Sequence, residues 1–108
     1  MSFRFMRIIL FFDLPTEKIS ERKAYNKFRK NLLKEGFIMM QESVYVKLVL
    51  NQTDVETIKN RINKYKPHNG LIQVLVITEK QFNSIEYILG NKSEDILDNT
   101  ERLTILWN

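Results

Sequence analysis

Apolar and polar positions fall in blocks along this chain, and the period changes from block to block. Ile8-Ile9-Leu10-Phe11-Phe12 is an unbroken apolar run that meets Asp13, Leu14 and Pro15. Proline lacks an N–H and pushes its predecessor toward an extended conformation, so this first strand is expected to end near Asp13. From Glu21 to Glu35 the period becomes helical. Tyr25, Phe28 and Leu32 share one side with Ala24 beside them, and Gly36 offers a left-handed stop. Thr16 or Ser20 is the expected cap. Phe37-Ile38-Met39-Met40 reads as a short strand and Gln41-Glu42 as a tight connection. Ser43 to Leu50 then reads as a β-branched and aromatic strand. Thr53-Asp54-Val55-Glu56 has the spacing of a capping box, and Val55, Ile58, Ile62 and Tyr65 recur at helical intervals before Pro67 ends the segment. Leu71 to Ile77 is a further apolar strand.

The order strand, helix, strand, strand, helix, strand predicts an α+β domain of the split βαβ, ferredoxin-like kind. It is an antiparallel sheet of four strands with both helices on one face. The first and fourth strands are apolar on both sides, whereas an antiparallel strand with one wet face normally alternates. A second cover is therefore expected, and a sheet-to-sheet homodimer provides it. Residues 81–108 extend this core (residues 1–80) within the same single domain. In that extension Ile85 to Leu89, ended by Gly90, reads as a fifth strand and Leu103 to Trp107 as a sixth. Both are expected to pair with an exposed sheet edge, in the same chain or in a second copy.

Composition narrows the chemistry. The 108 residues include no cysteine, which removes disulfides, thiol catalysis and cysteine-ligated zinc. No apolar run approaches the roughly 20 residues of a membrane span, and Met1 to Arg7 is interrupted by arginine. A cytoplasmic protein is expected. The net charge of +4 is unevenly placed: residues 1–66 carry +7 and residues 67–108 carry −3. Within the first helix Lys23, Lys27, Lys30 and Lys34 fall within about 60° of arc, opposite the apolar side, with Arg22 and Arg29 along one flank. Like charges at i,i+4 cost a few tenths of a kcal/mol per pair, and a solvated face usually mixes signs. An unmixed stripe suits a polyanion, such as a nucleic-acid backbone held without regard to sequence.

Asp13 invites two readings. A strand that delivers one acid to its own end can place a reactive group; the same residue can simply end the strand or accept backbone N–H groups in the turn. His68 is the only histidine, so histidine triads and multi-histidine metal sites are out. No glycine-rich phosphate loop is present. An RNA-reading version of this fold needs exposed aromatics on its central strands. Phe11 or Phe12 and Tyr45 are the candidates, but the aliphatics around them read as a dry interface.

The run Arg7 to Pro15, the helix Glu21 to Lys30 and the segment Glu35-Gly36-Phe37-Ile38-Met39 together resemble the CRISPR-associated Cas2 family. Gln41 to Tyr45 and Val76 to Phe82 fit the same pattern. The resemblance spans essentially the whole chain and is strongest to the type II-A versions that accompany a single large effector. It implies a homodimer that binds double-stranded DNA and bridges dimers of the Cas1 integrase during spacer acquisition. For some members it also implies a Mg2+-dependent endonuclease, cutting RNA or duplex DNA, with the aspartate ending the first strand as catalytic and metal-binding residue. Here that residue is Asp13. A tyrosine often precedes it in the family, whereas this chain has Phe12. A magnesium ion is commonly held by one or two carboxylates and waters, so a two-fold axis that pairs the Asp13 side chains supplies a plausible donor set. On the same resemblance Arg22, Lys23, Lys27, Arg29, Lys30 and Lys34 face either nucleic acid or the integrase.

Overall fold

The computed structural model describes residues 5–92 and residue 96. The elements are β1 (Met6–Asp13), α1 (Ile19–Glu35), β2 (Ile38–Gln41), β3 (Val44–Val49), α2 (Gln52–Tyr65), β4 (Leu71–Thr78) and α3 (Glu79–Asn83). The strands form one antiparallel sheet in the order β2-β3-β1-β4. This is the expected βαββαβ architecture.

β1 is one of the two central strands, with β3, and its pleat divides two apolar layers. Its inward residues Ile8, Leu10 and Phe12 pack with Phe28 and Leu32 of α1 and with Val55, Ile58 and Ile62 of α2. These helix residues recur every three or four positions, which places them on one stripe facing the sheet. Ile9 points to the other face, where it lies between Val46 of β3 and Leu75 of β4 in register.

The helix ends differ from the expectation. α1 starts at Ile19, and neither Thr16 nor Ser20 caps it. Instead the Glu21 carboxylate reaches back to accept the Lys18 N–H at 2.8 Å. Gly36 does stop the helix at φ 102°, sending its N–H to the last-turn carbonyls. α2 is capped by Asn51, whose Oδ1 accepts the Asp54 N–H at 2.8 Å. Thr53 therefore sits inside the first turn and Glu56 just past it, because the short asparagine amide reaches the free N–H groups from an earlier position.

The outer face of the sheet is covered in part by the chain itself. The second apolar cluster joins Ile9 and Val46 to Phe82 and Ile96, with Ile38, Val44, Ile77 and Ile85 against it. Arg7, fully buried, donates to Glu79 from Nε at 2.6 Å and from a terminal nitrogen at 2.9 Å, and its guanidinium lies 4.4 Å from the centre of the Phe82 ring. α3 is thereby tied to the start of β1. Its own start is a full capping box: Thr78 Oγ1 accepts the Gln81 N–H, and Gln81 Oε1 accepts the Thr78 N–H.

Ile85 to Leu89 is not a strand, which corrects the expectation for the tail. Ile85 donates its N–H to the Phe82 carbonyl as the chain leaves α3, so its apolar side chain serves a helical exit rather than a sheet edge. Ile88 and Leu89 stand almost wholly in solvent, at 99% and 95% exposure. The sixth strand expected at Leu103 to Trp107 lies outside the described residues. Among the described residues no helix is long and apolar enough to cross a membrane.

Candidate functional site

Asp13 closes β1 opposite Leu71 of β4 and is exposed. By the two-residue period of the strand it shares the outer face with Ile9 and Phe11. α3 covers the far end of that face, at Arg7. The Asp13 end is left open, with Leu71 and Leu75 about half exposed and Gln73 between them. Among the described residues the Asp13 carboxylate takes part in no hydrogen bond or ion pair. The reading in which it serves the turn by accepting backbone N–H groups therefore fails.

Phe12, the residue before it, is buried on the opposite face. Its ring stands 5.7 Å from that of Tyr25, 5.3 Å from Phe28 and 5.5 Å from Tyr45. A hydroxyl at position 12 would enter this packed aromatic layer, so the departure from tyrosine leaves the exposed acid next door unaltered.

For magnesium the donor chemistry is right, since a hard cation takes carboxylate oxygen and water. The number of donors is short. Among the described residues no group of three or more His, Cys, Asp or Glu side chains converges on one point. One chain offers a single carboxylate here.

The basic residues divide into two groups. Lys23, Lys27, Lys30 and Lys34 are all exposed on the solvent side of α1, and none forms an ion pair among the described residues. The two arginines are engaged in the fold. Arg22 donates to the carbonyls of Thr16 at 3.1 Å and Glu17 at 2.7 Å, tying the β1–α1 loop to the helix. Arg29 donates from Nε to the buried Tyr45 hydroxyl at 2.9 Å. The structure does not bring the lysines to Asp13: they lie beyond the helix layer, and the acid stands on the other face of the sheet.

Three polar groups were not singled out by the sequence. The Arg7–Glu79 pair is one. Ser43 is another, a non-glycine residue at φ 65° whose hydroxyl meets that of Tyr25 at 3.3 Å. The third is Tyr65, whose hydroxyl is buried without a hydrogen-bond partner among the described residues. Burial first, and then the nearby Glu35 carboxylate, push its phenol up from 10 to about 12, with Arg61 opposing. Because the folded value is raised, the neutral phenol's contribution is complete below pH 10 and is lost as pH climbs from 10 toward 12. Tyr65→Phe is expected to unfold at an equal or higher urea concentration, a gain of up to about 1 kcal/mol at pH 8. Its stability should also fall less than that of the parent between pH 10 and 12. A clear loss at pH 8 would show that the hydroxyl is bonded after all.

A family model described as CRISPR associated protein Cas2 matches residues 6–85. The chain is 50% identical over 101 residues to the CRISPR-associated endoribonuclease Cas2 of Treponema denticola, covering 94% of this chain and 100% of the relative. Its identity to the protein of the same description from Ligilactobacillus salivarius is 46%, with the same coverage. For the one from Streptococcus mutans serotype c (strain UA159) it is 48%, covering 94% and 93%. A solved structure described as "Crystal structure of cas2" superposes with a TM-score of 0.58 at 17% identity, over 83% of this chain and 92% of that one, a likeness of fold.

Proposed function

This chain belongs to the CRISPR-associated Cas2 family, and from that premise we propose that it is an endonuclease that cleaves phosphodiesters through Asp13. The observation that carries the reading is the state of that side chain. It is an exposed, unpartnered carboxylate held at the end of the most buried strand, on the part of the outer sheet face that α3 leaves open. Relatives of up to 50% identity described as endoribonucleases support RNA as a substrate.

The working form is a homodimer. Two copies stacked outer face to outer face would bury Phe11, Leu71 and Leu75 and bring one Asp13 from each toward the axis. Two carboxylates so placed repel each other, and a divalent cation between them relieves that repulsion. The Asp13 pair would then hold Mg2+, whose contribution when bound is to neutralise charge on the phosphoryl oxygens. Asp13 itself binds and orients; the apolar neighbours exclude water around it.

A second reading is favoured by the lysine stripe, which lies away from Asp13 and has no use in cleavage there. In it the dimer is an adaptor that holds double-stranded DNA by its phosphates and bridges Cas1 integrase dimers during spacer acquisition. One variant separates the two. Asp13→Ala is expected to fold normally, to sediment as a dimer at micromolar concentration, and to cleave RNA with magnesium at least about a hundredfold more slowly. Undiminished cleavage removes the nuclease reading. Spacer acquisition in cells that is unchanged by the same substitution assigns the essential role to the adaptor.

A further inference from the structure

We infer that Tyr25 and Ser43 are positioning residues for Asp13, acting through the backbone of Phe12. The inference rests on the reading of Asp13 as the reacting carboxylate and adds to it the device that fixes where that carboxylate stands.

The argument begins one residue earlier. Phe12 is the last inward side chain of β1, and its ring is enclosed by Tyr25, Phe28 and Tyr45. Asp13 follows on the opposite face. One planar peptide joins the two residues, so with Phe12 held, only its ψ, the φ of Asp13 and the side-chain torsions remain to place the carboxylate.

Phe12 is also held through its backbone. Its N–H donates to the Ser43 carbonyl at 3.0 Å, across the turn between β2 and β3. Ser43 offers that carbonyl from the left-handed region, at φ 65°, a conformation that residues with a side chain rarely adopt. The hydroxyl of Ser43 is paired with the Tyr25 hydroxyl at 3.3 Å. Tyr25 thus makes two contacts with the same unit. Its ring packs on Phe12, and its hydroxyl anchors the strained turn whose carbonyl receives the Phe12 N–H.

The other flank is closed by a glycine. Gly70, at φ 117°, precedes the residue paired with Asp13. A Cβ there would fall 2.8 Å from the Asp13 carbonyl oxygen and 2.6 Å from Leu14 Cδ2. Only a residue without a side chain lets the start of β4 close on the Asp13 backbone. The main chain of Asp13 is therefore fixed from both sides while its carboxylate bonds to nothing among the described residues. A rigid frame around an unspent acid is what a pre-organised site requires, since misplacement by about 1 Å can cost a hundredfold in rate.

Two mild variants test this. Tyr25→Phe keeps the ring and removes one hydroxyl; Ser43→Gly keeps the left-handed turn and its carbonyl and removes the other. In metal-free protein, amide exchange at the Phe12 N–H is expected to quicken about tenfold in each, with the Leu10 N–H unchanged. In RNA cleavage with magnesium, kcat is expected to fall about tenfold with KM unaltered. The double variant should be no worse than either single one, because each removes the same bond. Unchanged kcat in both variants, with Asp13→Ala inactive, overturns the positioning role and leaves the site reading intact. A fall in kcat that merely tracks a lower unfolding midpoint overturns it as well. Full cleavage by Asp13→Ala overturns the site and the positioning role together, while the exchange rates report separately whether the hydroxyl pair holds Phe12.

Discussion

Glu79→Ala is expected to lower the unfolding free energy by about 3–5 kcal/mol, a large share of the 5–15 kcal/mol typical of a domain. The reason lies in what the substitution leaves behind. Arg7 is fully buried in the outer layer, and Glu79 keeps only 16% of its side chain exposed. Their two short bonds offset the desolvation of the guanidinium, and the Phe82 ring above it contributes a cation–π contact. Removing the carboxylate takes both of these short charge-assisted bonds from a guanidinium that stays buried. Replacing both partners by apolar residues, Arg7→Met with Glu79→Leu, is expected to cost less, because the buried guanidinium is then removed together with the carboxylate that holds it. Urea unfolding of the two variants checks this. A loss below about 1 kcal/mol in Glu79→Ala would mean that water reaches Arg7 and that the pair does not hold α3 to the sheet.

The same pair shows what a local sequence pattern does not carry. The apolar run from Ile8 to Phe12 announced a central strand, and the helical spacing of Val55, Ile58 and Ile62 announced the stripe that packs on it. Both are local patterns. Arg7, just ahead of the apolar run, carries no local mark of burial. Its burial depends on Glu79, 72 residues away, and no window of sequence contains both. The second apolar face did signal a missing cover. Part of that cover is α3 with Phe82, Ile85 and Ile96, which leaves only the rest of the face for a second copy. The signal for α3 was in plain view: Thr78-Glu79-Lys80-Gln81 has capping-box spacing. The same spacing at Thr53-Asp54-Val55-Glu56 pointed wrongly, since Asn51 lies two residues upstream and caps first.

The candidate site was legible to a similar depth. Asp13 was found because an acid after an apolar run is a one-dimensional feature. Its open surroundings and lack of partners needed the structure. Helical phase puts Tyr25 on the core side, but nothing in the sequence links Tyr25 or Ser43 to Asp13, because that link is a backbone torsion and one contact between hydroxyls 18 residues apart. Arg22 and Arg29 were grouped with the lysines by helical phase alone. Phase places a side chain on a flank but says nothing of the carbonyls and the Tyr45 hydroxyl that engage it there.

That division sharpens the expectation for nucleic acid. Lys23, Lys27 and Lys30 are exposed and form no ion pair among the described residues, so each can displace a condensed counter-ion when it meets a phosphate. In a dimer their replacement by glutamate removes six such contacts. The slope of log affinity against log salt for double-stranded DNA should flatten by about 5, at roughly 0.9 per phosphate. At 0.15 M salt each contact of this kind is worth a factor of about five, so affinity should fall by roughly 10⁴-fold, before any repulsion from the added acids. Arg22 and Arg29 give the contrast. Substituting either should act first on stability, through the β1–α1 loop or the buried Tyr45 hydroxyl, and change the slope little. Asp13→Ala should leave the slope unchanged, because the acid and the stripe lie on opposite sides of the sheet. If the lysine variant binds duplex with the parent's slope, the stripe does not face nucleic acid, and its unmixed charge serves a protein partner or solvent alone.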